Sequence, residues 1–157
     1  MEIHPTDACC YTHCNLHILR RNIMHEQIMS KLSPHFSLEE LQHSETAKRL
    51  NIANVAPTSA VRNLRRLVTE VLEPLRMHFN APVIISSGYR SPALNKAVGG
   101  VHNSYHLSGR AADIAEVKGY KLREVYEFLR DFLPHTELLL EPVAKSTKQP
   151  KWIHVAL

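Results

Sequence analysis

One ten-residue segment constrains the fold more than any other feature of the chain. Residues 104–113 read Ser-Tyr-His-Leu-Ser-Gly-Arg-Ala-Ala-Asp. Its histidine and its aspartate, His106 and Asp113, lie too far apart in sequence to meet within one helical turn. They can approach each other if the chain folds back at Gly109, which tolerates unusual backbone angles, and then enters a strand. The two alanines before Asp113 let that strand pass close to its neighbours.

A third polar residue can join this pair from a neighbouring strand. Residues 152–155 read Trp-Ile-His-Val, and alternate residues of a strand share a face, so Trp152 and His154 would point the same way. Two imidazoles and one carboxylate hold a tetrahedral zinc ion with one position open for water, which is the arrangement of catalytic zinc sites. The sequence therefore allows a metal site in which His154 could add a third ligand to His106 and Asp113.

The remaining patterns predict helices in the first half of the chain. Ser37 and Glu40 form a capping box that should begin a helix running to about Leu50. Residues 58–79 have apolar side chains at helical spacing, with Pro74 expected to kink the helix near its end.

The second half predicts strands mixed with shorter helices. A helical turn should open at residues 91–92 and end at the glycine pair 99–100, and an amphipathic helix should cover residues 122–133. A polar turn is expected at residues 146–150. Strands are predicted for 82–87, 111–115, 137–141 and 152–156. Early helices and late, mixed strands place the chain in the α+β class.

Length and charge narrow the possible functions. The 157 residues suffice for one domain with its own core. The formal net charge is +4, but the basic residues are scattered, and we interpret Arg62, Arg65 and Arg66 as a solvated helix face rather than a nucleic-acid site. The sequence contains no apolar run long enough for a membrane span, and residues 1–4 do not resemble a signal peptide.

The first 28 residues differ from the rest. They contain all three cysteines and show no clear periodicity. Cys10, His13, Cys14 and His17 have the spacing of metal ligands, so one hypothesis is a metal-binding tail. We favour a disordered or non-native extension of residues 1–28, with Met29 as a natural start, and expect the folded domain to cover residues 29–157.

Several motifs in this order match a known family. Residues 33–36 read Ser-Pro-His-Phe, residues 87–91 Ser-Gly-Tyr-Arg-Ser, and the segments at 104–113 and 152–155 follow. From about Leu32 to the C-terminus the chain resembles the zinc D-alanyl-D-alanine carboxypeptidase-like peptidases. The resemblance implies a small, mainly antiparallel sheet flanked by helices, as in the hedgehog signalling domain and the D,D-peptidases.

The resemblance also implies roles for residues. It makes His106, Asp113 and His154 ligands of Zn²⁺, and it places Arg90 beside the metal, where its guanidinium suits a substrate carboxylate or the oxyanion of the tetrahedral intermediate. Tyr89 and Ser104 are expected to help bind the substrate. The implied activity is hydrolysis of peptidoglycan peptides near D-residues by a monomer, with the substrate in the cell wall or periplasm.

One position departs from the wider superfamily. Better-known members have an acidic general base three residues before the last histidine, where this chain has Lys151. Glu141, where this branch also carries a glutamate, is the best substitute, and Glu137 is a weaker one. Two hypotheses follow from this departure: a zinc peptidase that uses Glu141, and a zinc-binding module of the same fold that has lost catalysis.

Overall fold

The computed structural model describes residues 30–143 and 150–157, apart from the side chains of Pro142 and Val143. The expected tail of residues 1–28, the start at Met29 and the turn at 146–149 lie outside the described residues, so the domain boundary at residue 29 stays a prediction. Leu32–Leu157 form one compact unit. No helix in the described ranges is long and apolar enough to cross a membrane.

The helices precede most of the strands, as the α+β prediction requires. We number the elements in chain order. The helices are α1 (Leu38–Gln42), α2 (Glu45–Arg49), α3 (Thr58–Leu67), a π-helical turn (Val68–Leu72), α4 (Glu73–Phe79), α5 (Pro92–Ala97), a 3-10 turn (Tyr105–Ser108) and α6 (Leu122–Phe132). The strands are β1 (Val83–Ser87), β2 (Ala111–Val117), β3 (Glu137–Val143) and β4 (Pro150–Ala156).

The first predicted helix is interrupted. Ser37 caps α1 through its side chain, which accepts a hydrogen bond from the amide of Glu40, but the helix ends at Gln42 rather than near Leu50. His43 has extended backbone angles, and the side chain of Ser44 accepts a hydrogen bond from the amide of Ala47. A second N-cap therefore begins a separate helix, because a serine that satisfies free amides competes with helix continuation.

The long predicted helix is continuous but changes its winding. The π-helical turn at Val68–Leu72 lies just before Pro74, near the start of α4. Proline has no amide hydrogen and its ring collides with the carbonyl four residues earlier, so a wider turn accommodates it without breaking the helix. Val68, Val71 and Leu72 are fully buried. The sequence therefore locates the irregularity correctly, and the structure shows a wider turn there.

The four strands form one antiparallel sheet in the order β1-β2-β4-β3, which confirms the α+β fold with a small antiparallel sheet. The two faces of this sheet differ. One face is apolar and packs into the hydrophobic core: it carries Ala112, Ile114, Leu138, Leu140, Ile153 and Val155. Alternation along the strands places Asp113, His154 and Glu141 on the opposite face. The candidate site residues therefore lie on the face of the sheet that points away from the hydrophobic core.

Candidate metal centre

Asp113 lies in the middle of the sheet, between two strands that supply its neighbours. In the strand register it faces Ser87 of β1 on one side and His154 of β4 on the other. The Nδ1 atom of His154 lies 2.8 Å from the Oδ1 atom of Asp113. Because the register of a buried sheet is fixed by its apolar face, this pair is set by the core packing of the strands.

His106 reaches the same carboxylate from the 3-10 turn that precedes β2. Its Nε2 atom lies 3.2 Å from Oδ1 of Asp113. The turn ends at Gly109, whose φ of 69° favours glycine, and a Cβ there would lie 2.5 Å from the carbonyl oxygen of Ala60. The fold-back predicted at Gly109 is therefore confirmed, and it carries His106 to the start of the strand that holds Asp113.

The three side chains form a group that could hold a metal ion. One ligand atom each from His106, Asp113 and His154 lie within 4.8 Å of one another. The remaining nitrogen of each ring has an acceptor: Nδ1 of His106 donates to the carbonyl of Gly88 at 2.6 Å, and Nε2 of His154 lies 3.2 Å from a carboxylate oxygen of Glu137. Metal-binding histidines usually have such partners, so the donor set suits a zinc ion.

The shared carboxylate is held in its charged form. Burial opposes ionisation of Asp113, but hydrogen bonds to His106 and His154 and the nearby positive charges outweigh it, so the pKa of Asp113 lies well below its usual value. Arg90 contributes through an ion pair with Oδ2 at 2.5 Å. An ionised carboxylate between two imidazoles is the form that a divalent cation requires.

Hydrogen bonds hold both the backbone and the side chain of Arg90. Its amide donates to the carbonyl of His106, and its Nε donates to the hydroxyl of Ser87 at 2.7 Å. The side chain is 18% exposed and lines an open cavity. The guanidinium therefore stands beside the candidate ligands, with part of its surface accessible to a bound molecule.

An open cavity of about 290 Å³ adjoins the candidate ligands. Its wall includes Arg90, Ser104, Glu137, Leu139, Glu141 and Trp152, together with His106, Asp113 and His154. The residues from β3 share one face because they alternate along the strand, and Leu139 is the direct partner of His154. The cavity thus brings together the predicted ligands, Arg90, Ser104 and both candidate carboxylates.

Two residues singled out from the sequence lie elsewhere. Tyr89 is 5% exposed, packs in the hydrophobic core and is not among the residues that line the cavity. Lys151 is exposed, and along β4 it alternates with Trp152, which lines the cavity. In a continuous strand, residues three positions apart point to opposite faces. Position 151 therefore lies on the face away from His154, where a side chain cannot act as a base at the site.

Sequence reasoning missed three partners of the site. The hydroxyl of Ser87 contacts Arg90, the carbonyl of Gly88 contacts His106, and a carboxylate oxygen of Glu137 lies beside His154. The carbonyl leaves no signal in a sequence, because every residue has one. The carboxylate left a signal, since Glu137 precedes Glu141 by four residues and both fall on one face of a strand.

Four other histidines lie in different surroundings. His35 contacts Glu73, His78 stacks on Phe128, and His135 contacts the carbonyl of Leu133. His102 lines a different cavity with Lys96. None of them belongs to the His-Asp-His group found among the described residues.

Comparison with protein-family models gives a match. A family model described as Peptidase M15 matches residues 34–156, a range that contains every residue of the candidate metal centre. No curated protein matches the chain.

Proposed function

Because the chain belongs to the Peptidase M15 family, we propose that its residues 29–157 form a zinc-dependent peptidase that cleaves bacterial peptidoglycan. We infer a carboxypeptidase or endopeptidase that acts near D-amino acids, as a monomer, on a substrate in the cell wall or periplasm. The observation that carries the proposal is the meeting of His106, Asp113 and His154 in the wall of an open cavity that also contains Glu141.

Zn²⁺ held by His106, Asp113 and His154 would supply a Lewis acid that polarises the scissile carbonyl and makes water a nucleophile at neutral pH. The chain's own groups do the rest. Asp113 brings the negative charge that the cation needs, and the buried position of His106 keeps its ring from turning away. The open side of the cavity admits the peptide.

Glu141 is our candidate for the general base. It lies in the cavity wall on β3, opposite Trp152 and two residues beyond the partner of His154. From there its carboxylate would accept a proton from the attacking water and deliver it to the leaving amine. Positioned acid–base groups of this kind contribute about 10²- to 10⁴-fold to a rate.

Arg90 is our candidate for recognition and charge stabilisation. With Nε and one terminal nitrogen held by Ser87 and Asp113, the guanidinium is fixed in orientation before the substrate arrives. A fixed cation beside a reacting carbonyl stabilises the oxyanion without reorganisation. Ser104, in the cavity wall, is proposed to bind the peptide; for Tyr89, which lies in the core, the support is the sequence resemblance alone.

A zinc-binding module without catalysis is the competing function. It is favoured by Lys151, an exposed amine where the wider superfamily has a carboxylate. Such a module would use the same three side chains to hold zinc and would bind a cell-wall peptide or a protein partner.

Incubation with peptidoglycan fragments separates the two functions. Purified protein, stripped of metal or loaded with Zn²⁺, is mixed with defined muropeptides, and the products are read by mass spectrometry. We expect peptides shortened by hydrolysis with the zinc-loaded protein and none after chelation. If the protein binds the fragments but cleaves none of them at any zinc concentration, the hypothesis of a binding module is correct.

A further inference from the structure

The ring of His154 has carboxylate oxygens at both nitrogens. Its Nδ1 atom lies 2.8 Å from Oδ1 of Asp113, and its Nε2 atom lies 3.2 Å from Oε1 of Glu137. Nδ1 faces Asp113, which is in the group of candidate metal ligands, and Glu137 is not part of that group. The two carboxylates therefore lie at opposite nitrogens of the ring.

We propose that Glu137 is a positioning residue: it accepts the Nε2 proton of His154 and so orients Nδ1 of that ring toward the metal. This inference rests on the proposed function only in requiring that the site binds zinc. It assigns Glu137 to the metal centre and leaves proton transfer to Glu141.

The strand register makes this division of tasks possible. On β3, Leu139 is the direct partner of His154, so Glu137 and Glu141 flank that partner on the same face. Residues diagonal to each other across a strand pair lie within reach of long side chains. Among the described residues Glu137 is the one of the two that contacts a histidine ring, and Glu141 lines the cavity.

His106 has the same arrangement, in which one ring nitrogen is hydrogen-bonded and the other faces the candidate metal position. Its Nδ1 atom donates to the carbonyl of Gly88 at 2.6 Å, while its Nε2 atom faces Asp113. A hydrogen bond at one nitrogen fixes the tautomer and directs the lone pair of the other nitrogen to the metal. Glu137 would perform for His154 what a backbone carbonyl performs for His106, with the addition of a negative charge.

The expected effect on zinc binding is moderate. Loss of such an outer partner usually weakens metal binding about 10- to 100-fold. The side chain of Glu137 is 43% exposed, so water can replace part of its hydrogen bond. We therefore expect zinc affinity to fall about 10-fold in Glu137→Ala.

Zinc affinity, measured by competition with a chromogenic chelator, tests the assignment without any reference to activity. Glu137→Ala should bind zinc about 10-fold more weakly, and Glu137→Gln, which keeps an acceptor oxygen, should fall between it and the wild type. Glu141→Gln is the matched control on the same strand face and should keep wild-type affinity. The visible spectrum of the Co²⁺-loaded protein should also change in Glu137→Ala, because this variant alters the surroundings of the His154 ligand.

Several results would overturn the assignment. Wild-type zinc affinity in both Glu137 variants would remove its role at His154. A loss of turnover in Glu137→Gln with unchanged zinc affinity would make Glu137 the base instead. Thermal unfolding of the metal-free proteins shows whether Glu137→Ala folds normally; if it does not, the comparison of Glu137→Gln with Glu141→Gln decides. A wild type that binds zinc but cleaves no peptidoglycan would refute the proposed function and leave this comparison valid.

Discussion

Asp113 and His154 are direct partners across β2 and β4, and the Oδ1 atom of one lies 2.8 Å from the Nδ1 atom of the other. This pairing joins the centre of the chain to its last strand. The same register places Ala112 opposite Val155 and Ile114 opposite Ile153, all buried in the core. A one-residue slip would bury the polar pair and expose the core residues, so core packing holds the candidate site in register.

Zinc content tests the ligand set. His106→Ala should lose bound zinc on dialysis against metal-free buffer, because it removes one of the three candidate ligands, a ring that is only 2% exposed. Metal analysis by mass spectrometry gives the zinc-to-protein ratio. His135→Ala, an exposed histidine outside the site, serves as the control and should match the wild type. Zinc at the wild-type ratio in His106→Ala would refute the ligand set.

Turnover tests the general base. Glu141→Gln keeps the size of the side chain but cannot accept the proton, so kcat should fall at least about 10²-fold with zinc content unchanged. The measurement is the rate of muropeptide cleavage by the zinc-loaded protein. Glu127→Gln changes an exposed carboxylate on α6 and should leave kcat unaltered. Full activity in Glu141→Gln would exclude Glu141 as the base.

Arg90→Lys tests whether the fork of the guanidinium matters. A lysine keeps the charge but cannot bind Ser87 and Asp113 together in the fixed geometry of Arg90. We expect kcat/KM to fall about 10²-fold, the effect of losing one oxyanion donor, while zinc remains bound. Arg66→Lys, on an exposed pair with Glu70, is the matched control. An unchanged kcat/KM in Arg90→Lys would contradict the role proposed for Arg90.

Gly109→Ala tests the fold-back that delivers His106. Its positive φ costs an alanine about 1 kcal/mol, and the new Cβ would lie 2.5 Å from the carbonyl oxygen of Ala60, so the free energy of unfolding should fall by more than about 2 kcal/mol. Gly99→Ala is a close control, because Gly99 has a φ of 72° but open space around it. Urea unfolding should therefore show a loss of only about 1 kcal/mol there. Equal losses in the two variants would show that the close approach at Ala60 is unimportant.

Local patterns predict the strands and the turn that carry the three candidate ligands, whereas the resemblance to a known family joins these ligands into one set. Alternating apolar residues around Asp113 and His154 indicate strands with one buried face, and Gly109 marks the turn. The interruption at Ser44 could not be predicted, since a serine can either continue a helix or cap a new one, and tertiary contacts decide between them.

The base is harder to predict than the ligands for a physical reason. A motif places His106 and Asp113 relative to each other, but Glu141 reaches the site only through the pairing of β3 with β4. Strand order and register are long-range properties, and so the sequence ranks Glu141 above Glu137 only through the family resemblance. The same holds for Tyr89, whose neighbour Arg90 reaches the cavity while its own ring packs in the core.

Acid stability tests a contact far from the metal centre. Glu73 accepts hydrogen bonds from the hydroxyl of Ser33 and from Nδ1 of His35. Burial alone would raise the pKa of Glu73. The two partners outweigh burial and hold this pKa below the ordinary value of 4.5. A carboxyl whose pKa is lower in the folded state stabilises the fold above its unfolded pKa, and this contribution disappears as the pH falls through the folded pKa.

Glu73→Gln should therefore lower the free energy of unfolding by about 1 kcal/mol at pH 7, and the difference from the wild type should shrink steadily below pH 4.5. Urea unfolding of the metal-free proteins at several pH values measures this difference, with Glu127→Gln as the control. A difference that stays constant down to acid pH would show that the charge of Glu73 does not hold Ser33 and His35 against α4.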